Sequence, residues 1–184
     1  MRSPQTLSEA DRRIVAAWAA DCADRVLEVF EAEAPGDLGP RNAIARTRAF
    51  ACGELDVAQE IRRRFAGQGG AREVSGPAAA AARAAGQAAA VAHMGAHALG
   101  AAAYAAKAVA LAAPERPEGA GEEVRWQLGR MSPAVRAALR QLPRLGENSS
   151  GPLGPGLLAT GLLGTVIRDL QIGLADRFHD ETAL

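Results

Sequence analysis

From Pro77 to Ala113 the chain is written mostly in alanine: PAAAAARAAGQAAAVAHMGAHALGAAAYAAKAVALAA. Alanine is the best helix former and loses no side-chain entropy in a helix, so the stretch predicts helix throughout. It also carries very little apolar surface to bury. A helix so thin in side chains is stabilised only when neighbours approach from several directions, which suits the centre of a bundle. Gly86, Gly95 and Gly100 interrupt the run. Each costs about 1 kcal/mol against alanine in a helix interior, which makes sense where a neighbouring helix or a ligand comes close. A break near Gly95 or Gly100 would yield two antiparallel helices.

The remaining sequence agrees with an all-helical chain. Sustained period-two alternation is absent, aromatic residues are only 4% of the chain, and alanine, leucine and arginine dominate. A first helix begins at Ser8 as N-cap, with Asp11 three residues on. It carries a stripe of Ile14, Trp18, Cys22, Leu27 and Phe30 and stops at Pro35-Gly36. Further helices are expected over about Pro40–Ala51 and Val57–Ala66, through GEEVRWQLGRM, from Ser132-Pro133 to Leu142, and from Leu157 to Phe178. In GEEVRWQLGRM the candidate contacts are Val124, Trp126 and Leu128. The fold expected is an all-α bundle of about six to eight helices around a long Ala-rich central helix or helix pair. Residues 1–145 are expected to form the helical domain. Residues 146–184 add a Gly/Pro linker and an apolar helix packed on the same domain.

At 184 residues the chain is long enough for one domain with a real core. Twenty-one basic and twenty-one acidic residues cancel, so no global field draws it to nucleic acid or to an anionic membrane. The run Arg62, Arg63, Arg64 reads as a solvated helix face. Cys22 and Cys52 make neither a disulfide framework nor a CxxC site, and the N-terminal MRSPQTLSEADRR has no apolar leader; both point to the cytoplasm. The most apolar window, GLLATGLLGTVI, is too short for the roughly 20 residues of a membrane span. An apolar terminal helix also leaves a homodimer through that helix open.

The chemistry-bearing residues concentrate in AHMGAHALGAAAYAAKA. On one continuous helix His93, His97, Gly100, Tyr104 and Lys107 fall within a sector of roughly 80°. His97 and Lys107 are then about 15 Å apart along the axis, so the histidine pair and the tyrosine–lysine pair are separate candidates. The i, i+4 histidines have the spacing to share a metal. HMGAH lacks the glutamate of HExxH, however, and a third ligand would have to come from Asp21, Cys22 or the remote His179. The plainer reading is two histidines bonded to carboxylates or backbone. Tyr104 and Lys107 read plainly as a gap-filling ring and a snorkelling cation. Cys22 beside a histidine would make a nucleophile; packed alone it is a core residue. No GxGxxG follows a strand and no Walker motif is present, so no cofactor is expected.

Four segments together, WAADCADRVLEVFE, RNAIARTRAFACGE, AAGQAAAVAHMGAHALGAAAYAAKA and EVRWQLGRMSPAVRAAL, resemble the Imm-5-like immunity proteins of bacterial polymorphic toxin systems. The alanine-embedded order H-x3-H-x6-Y-x2-K is the most specific of them, and the resemblance covers about residues 7–142. It implies an all-α cytoplasmic protein of actinobacterial type that neutralises a cognate toxin. His93, His97, Tyr104, Lys107, Asp21, Cys22 and Trp126 fall on the family's motif positions. Residues 66–76 look shorter and richer in glycine than the family's usual helical hairpin. The region after about Leu145 is outside the pattern. Two function classes stay open: a toxin-binding immunity factor, and a small helical enzyme or ligand-binding protein, for instance in natural-product biosynthesis, with a polar pocket lined by His93, His97, Tyr104 and Lys107.

Overall fold

A computed structural model describes residues 3–56 and 74–176. Its helices are α1 (Glu9–Asp24), α2 (Leu27–Glu31), α3 (Gly39–Ala51), α4 (Gly76–Ala90), α5 (His97–Ala112), α6 (Gly119–Gly129), α7 (Pro133–Leu139) and α8 (Gly161–Ala175), with a 3-10 turn at Leu157–Ala159. Among the described residues there is no strand. Helix starts follow local chemistry. Ser8, Ser75 and Ser132 each accept the backbone N–H three residues on, capping α1, α4 and α7. Pro40, Pro77 and Pro133 occupy first-turn positions where a missing N–H costs nothing.

The alanine run is two helices, α4 and α5, and they pack on each other as an antiparallel pair. A fixed register shows in the contacts. Gly76 faces Leu111, Gln87 lies over Gly100, and the Arg83 charge acts on Tyr104. Each pair has residue numbers summing to the same value. α5 is the hub of the fold: it touches α1, α4, α6 and α8, and ten of its sixteen residues are buried. α4 in turn packs on α1, α2 and α3. Close approach is possible because the facing side chains are methyl groups, which is the arrangement the composition demands.

Several element boundaries differ from expectation. The first helix is two pieces, because Val26 at φ −113°, ψ 4° bends the chain and turns α2 onto α4, burying Leu27 and Phe30. Ile14, expected in the buried stripe, is 36% exposed. The buried side of α1 is set by Ala16, Ala19, Ala20 and Ala23 together with Trp18 and Cys22, so large residues alone misplace it. α7 ends at Leu139 rather than Leu142, and extended Thr160 separates the 3-10 turn from α8. The expected helix at 57–66, Arg62 to Arg64 and His179 lie outside the described residues. Among the described residues no helix is long and apolar enough to cross a membrane.

The break at residues 91–96 has a specific cause. The backbone N–H groups of Gly95 and Ala96 donate to the carbonyls of Thr6 and Gln5 at 3.0 Å each, instead of continuing the helical ladder. A Cβ at Gly95 would sit 2.4 Å from Leu7, so the N-terminal segment presses directly on this backbone. The Gln5 side chain then reaches across the molecule. Its Nε2 donates to the Ser150 carbonyl at 2.7 Å, and its Oε1 accepts from the Leu153 amide at 2.9 Å. One buried glutamine therefore ties together the N-terminus, the α4–α5 loop and the segment leading to α8. Behind that segment α8 packs on α5 and α6, with Leu128 seated on Gly173.

Gln5→Ala should strip both bonds and leave the buried Leu153 amide without a partner, lowering stability by about 1–3 kcal/mol. Urea unfolding checks this: the midpoint falls while the slope is kept.

Candidate functional site

The break in the alanine run removes the histidine pair as a helical i, i+4 unit. His93 lies half-buried in the 91–96 loop, whereas His97 is the first residue of α5. The face assumed for His93 to Lys107 exists only from His97 onward. Among the described residues no three His, Cys, Asp or Glu side chains are grouped to hold a metal ion.

The α5 residues instead line the seam between α4 and α5. His97 Nδ1 is 2.8 Å from Gln87 Oε1. Glutamine oxygen is an acceptor only, so Nδ1 carries the proton in this bond. The Gln87 amide reaches His97 by passing over Gly100, where a Cβ would lie 2.3 Å from its oxygen. The same Cβ would be 3.1 Å from Leu158, which covers this point from the 3-10 turn. Gly100 thus serves a side-chain crossing. One and two turns on, Tyr104 is buried and Lys107 half-buried. Burial raises the Tyr104 pKa, and the positive charge of Arg83 works against that rise.

The α1 candidates have surroundings of their own. Asp21 points to the α3 side and pairs with Arg48 at 3.2 Å, as does Asp24 at 3.1 Å. Cys22 is fully buried. Burial first, then the carboxylates of Glu123 and Asp21, push its thiol well above the ordinary range, with Arg25 opposing. A thiol so held stays protonated and is a poor nucleophile. Cys52, the other cysteine, is exposed.

Sequence reasoning missed the polar network between α1, α5 and α6. Trp18 Nε1 donates to the Gln127 carbonyl at 2.9 Å, and Gln127 Nε2 donates to the Ala102 carbonyl at 3.0 Å and to Glu123 Oε1 at 3.1 Å. The second oxygen of Glu123, a side chain only 2% exposed, accepts from Arg25 Nε at 2.6 Å. The Arg25 guanidinium lies 4.3 Å from the Trp126 ring centroid, and that of Arg130 5.9 Å. The available signal was the i, i+4 spacing of Glu123 and Gln127, which places both on one face of α6 beside Val124. Such a network rigidifies three helices against each other and holds Arg25 in one orientation.

A family model described as Imm-5 like putative immunity protein matches residues 5–134. The match takes in α1 to α6 and stops at the start of α7, so the segment that covers Gly100 and carries α8 lies beyond it. No curated protein and no solved structure matches the chain.

Three outcomes follow from this geometry. A thiol reagent should label Cys52 in the native protein and reach Cys22 only in denaturant, as counted by mass spectrometry. Cys22 and Tyr104 both keep their protons more firmly folded than unfolded. The unfolded chain therefore ionises first, and stability falls as pH rises past the ordinary thiol range near about 8.5 and then the tyrosine range near about 10. Replacing Cys22 by alanine should flatten the first part of that decline. Gly100→Ala should drive Gln87 off His97 and cost about 1–3 kcal/mol, read as a lower melting temperature and a shifted His97 ring resonance.

Proposed function

Since the chain belongs to the Imm-5-like immunity protein family, we propose that it is a cytoplasmic immunity factor that binds a cognate toxin domain and blocks it. The match over residues 5–134 is the observation that carries this reading. The chemistry of the interior supports it. The one buried thiol is held protonated, Asp21 is committed to Arg48, and His97 is committed to Gln87. Neutralisation by binding asks none of these groups to react. It asks for a stiff body whose surface groups are already placed, and the α4–α5 core with its polar ties supplies one.

The seam itself favours a second reading. Gln87 and His97 meet over Gly100 beneath Leu158, and Arg83 and Tyr104 lie one turn further along the same seam, so a small anionic ligand would find donors spaced along it. In this reading His97 would serve as acid–base group with Tyr104 and Lys107 as polarising groups. The exposed apolar side chains Leu157, Leu162 and Ile172 on the C-terminal segment support a homodimer through α8.

Co-expression with the toxin domain encoded beside this gene separates the two functions. The immunity reading expects restored growth and a complex that survives gel filtration, with His97→Ala and Lys107→Ala protecting as well as the wild type. No rescue and no complex would overturn it. Loss of protection in a folded His97 variant would move the function to the seam.

A further inference from the structure

We propose that the face formed by Arg25, Trp126 and Arg130 is where an acidic segment of the toxin docks, an assignment that rests on the immunity reading above. Arg25 is held from two sides. Its Nε is bonded to the buried Glu123, and its plane lies over the Trp126 ring. Glu123 is in turn fixed by Gln127, which α5 anchors through the Ala102 carbonyl. The Arg25 side chain as a whole nevertheless remains 44% exposed. Among the described residues its terminal nitrogens make no hydrogen bond. Arg130, exposed at the end of α6, lies on the same ring and has no carboxylate partner among the described residues.

A planar guanidinium with outward N–H groups matches a carboxylate, which it can grip in a two-pronged bond. Tryptophan and arginine are also the side chains that carry most energy at protein interfaces. Here they are already ordered by Glu123 and by each other, so docking freezes little further motion. The neighbouring charges narrow the class of partner. Asp21 and Asp24 lie four residues and one residue before Arg25, both paired with Arg48, with side chains 40% and 45% exposed. With these carboxylates, Arg48 and the buried Glu123 counted, the region has no excess of positive charge to draw a nucleic-acid backbone, whereas a single carboxylate matches the fork of one guanidinium.

Arg130→Glu carries the test, because Arg130 is exposed and makes no ion pair that folding needs. Trp126→Ala removes the ring, and Trp126→Phe restores a stacking surface. Binding is measured by calorimetry to the toxin domain encoded beside the gene. In parallel, a synthetic Asp/Glu-rich octapeptide and a single-stranded oligonucleotide are titrated at low salt, with melting curves for every variant. The assignment expects Arg130→Glu and Trp126→Ala to weaken toxin and peptide binding by about tenfold or more, Trp126→Phe to hold within about threefold, and melting temperatures to stay near the wild type. Unchanged toxin affinity in folded Arg130→Glu overturns it, as does a preference of this face for the oligonucleotide. A wild type that binds the peptide through Arg130 but no toxin supports the chemistry of the face and overturns the immunity reading instead.

Discussion

The close contact of α4 with α5 is the constraint on which the rest of the structure depends. Two helices rich in methyl groups pack on each other, α1, α2, α3, α6 and α8 are arranged around that pair, and α7 rests on α1. Alanine loses nothing by being held, so the pair is rigid for little entropy. It also contributes little burial energy per residue. The larger side chains that complete the core, Trp18, Phe30, Ile44, Phe50, Leu99, Ile167 and Leu170, come mostly from the surrounding elements. The centre determines spacing and the periphery supplies mass.

Such a core leaves few places for polar groups, and this protein puts them at the seams. Gln87 crosses Gly100 to meet His97. Gln127 links α6 to α5 and α1, and Gln5 joins the N-terminal segment and the segment before α8 to the α4–α5 loop. Gln5 uses both ends of its amide, Gln87 its oxygen and Gln127 its nitrogen, and none of them brings a charge into the interior. The buried carboxylate of Glu123 is paired and bonded on both oxygens, as the cost of desolvation requires. The one cation in that arrangement reaches the surface. The inner network thereby decides how an outer residue is presented.

Much of the helical skeleton was legible in the residues themselves. Serine caps, first-turn prolines and the alanine run marked their elements directly, and the four segments that resemble the Imm-5-like family fall within or close to the part of the chain that its model matches. The candidate site was legible only in part. His97, Tyr104 and Lys107 do share α5, whereas His93 does not, because the helix stops where Thr6 and Gln5 capture the Gly95 and Ala96 amides. That capture involves residues almost ninety positions away, and no local pattern announces it.

The sequence by itself determined that this protein is helical, that its centre is small-sided, and that the polar residues within the alanine run are few enough to matter individually. These follow from propensity and volume, which are properties of single residues and short windows. Tertiary structure alone decided which of the polar residues meet. Asp21 went to Arg48, Cys22 to a buried site beside Glu123, His97 to Gln87, and Arg25 to the ring of Trp126. A hydrogen bond or a stacked cation needs distance and direction between groups far apart in the chain, and those exist only once the helices have packed.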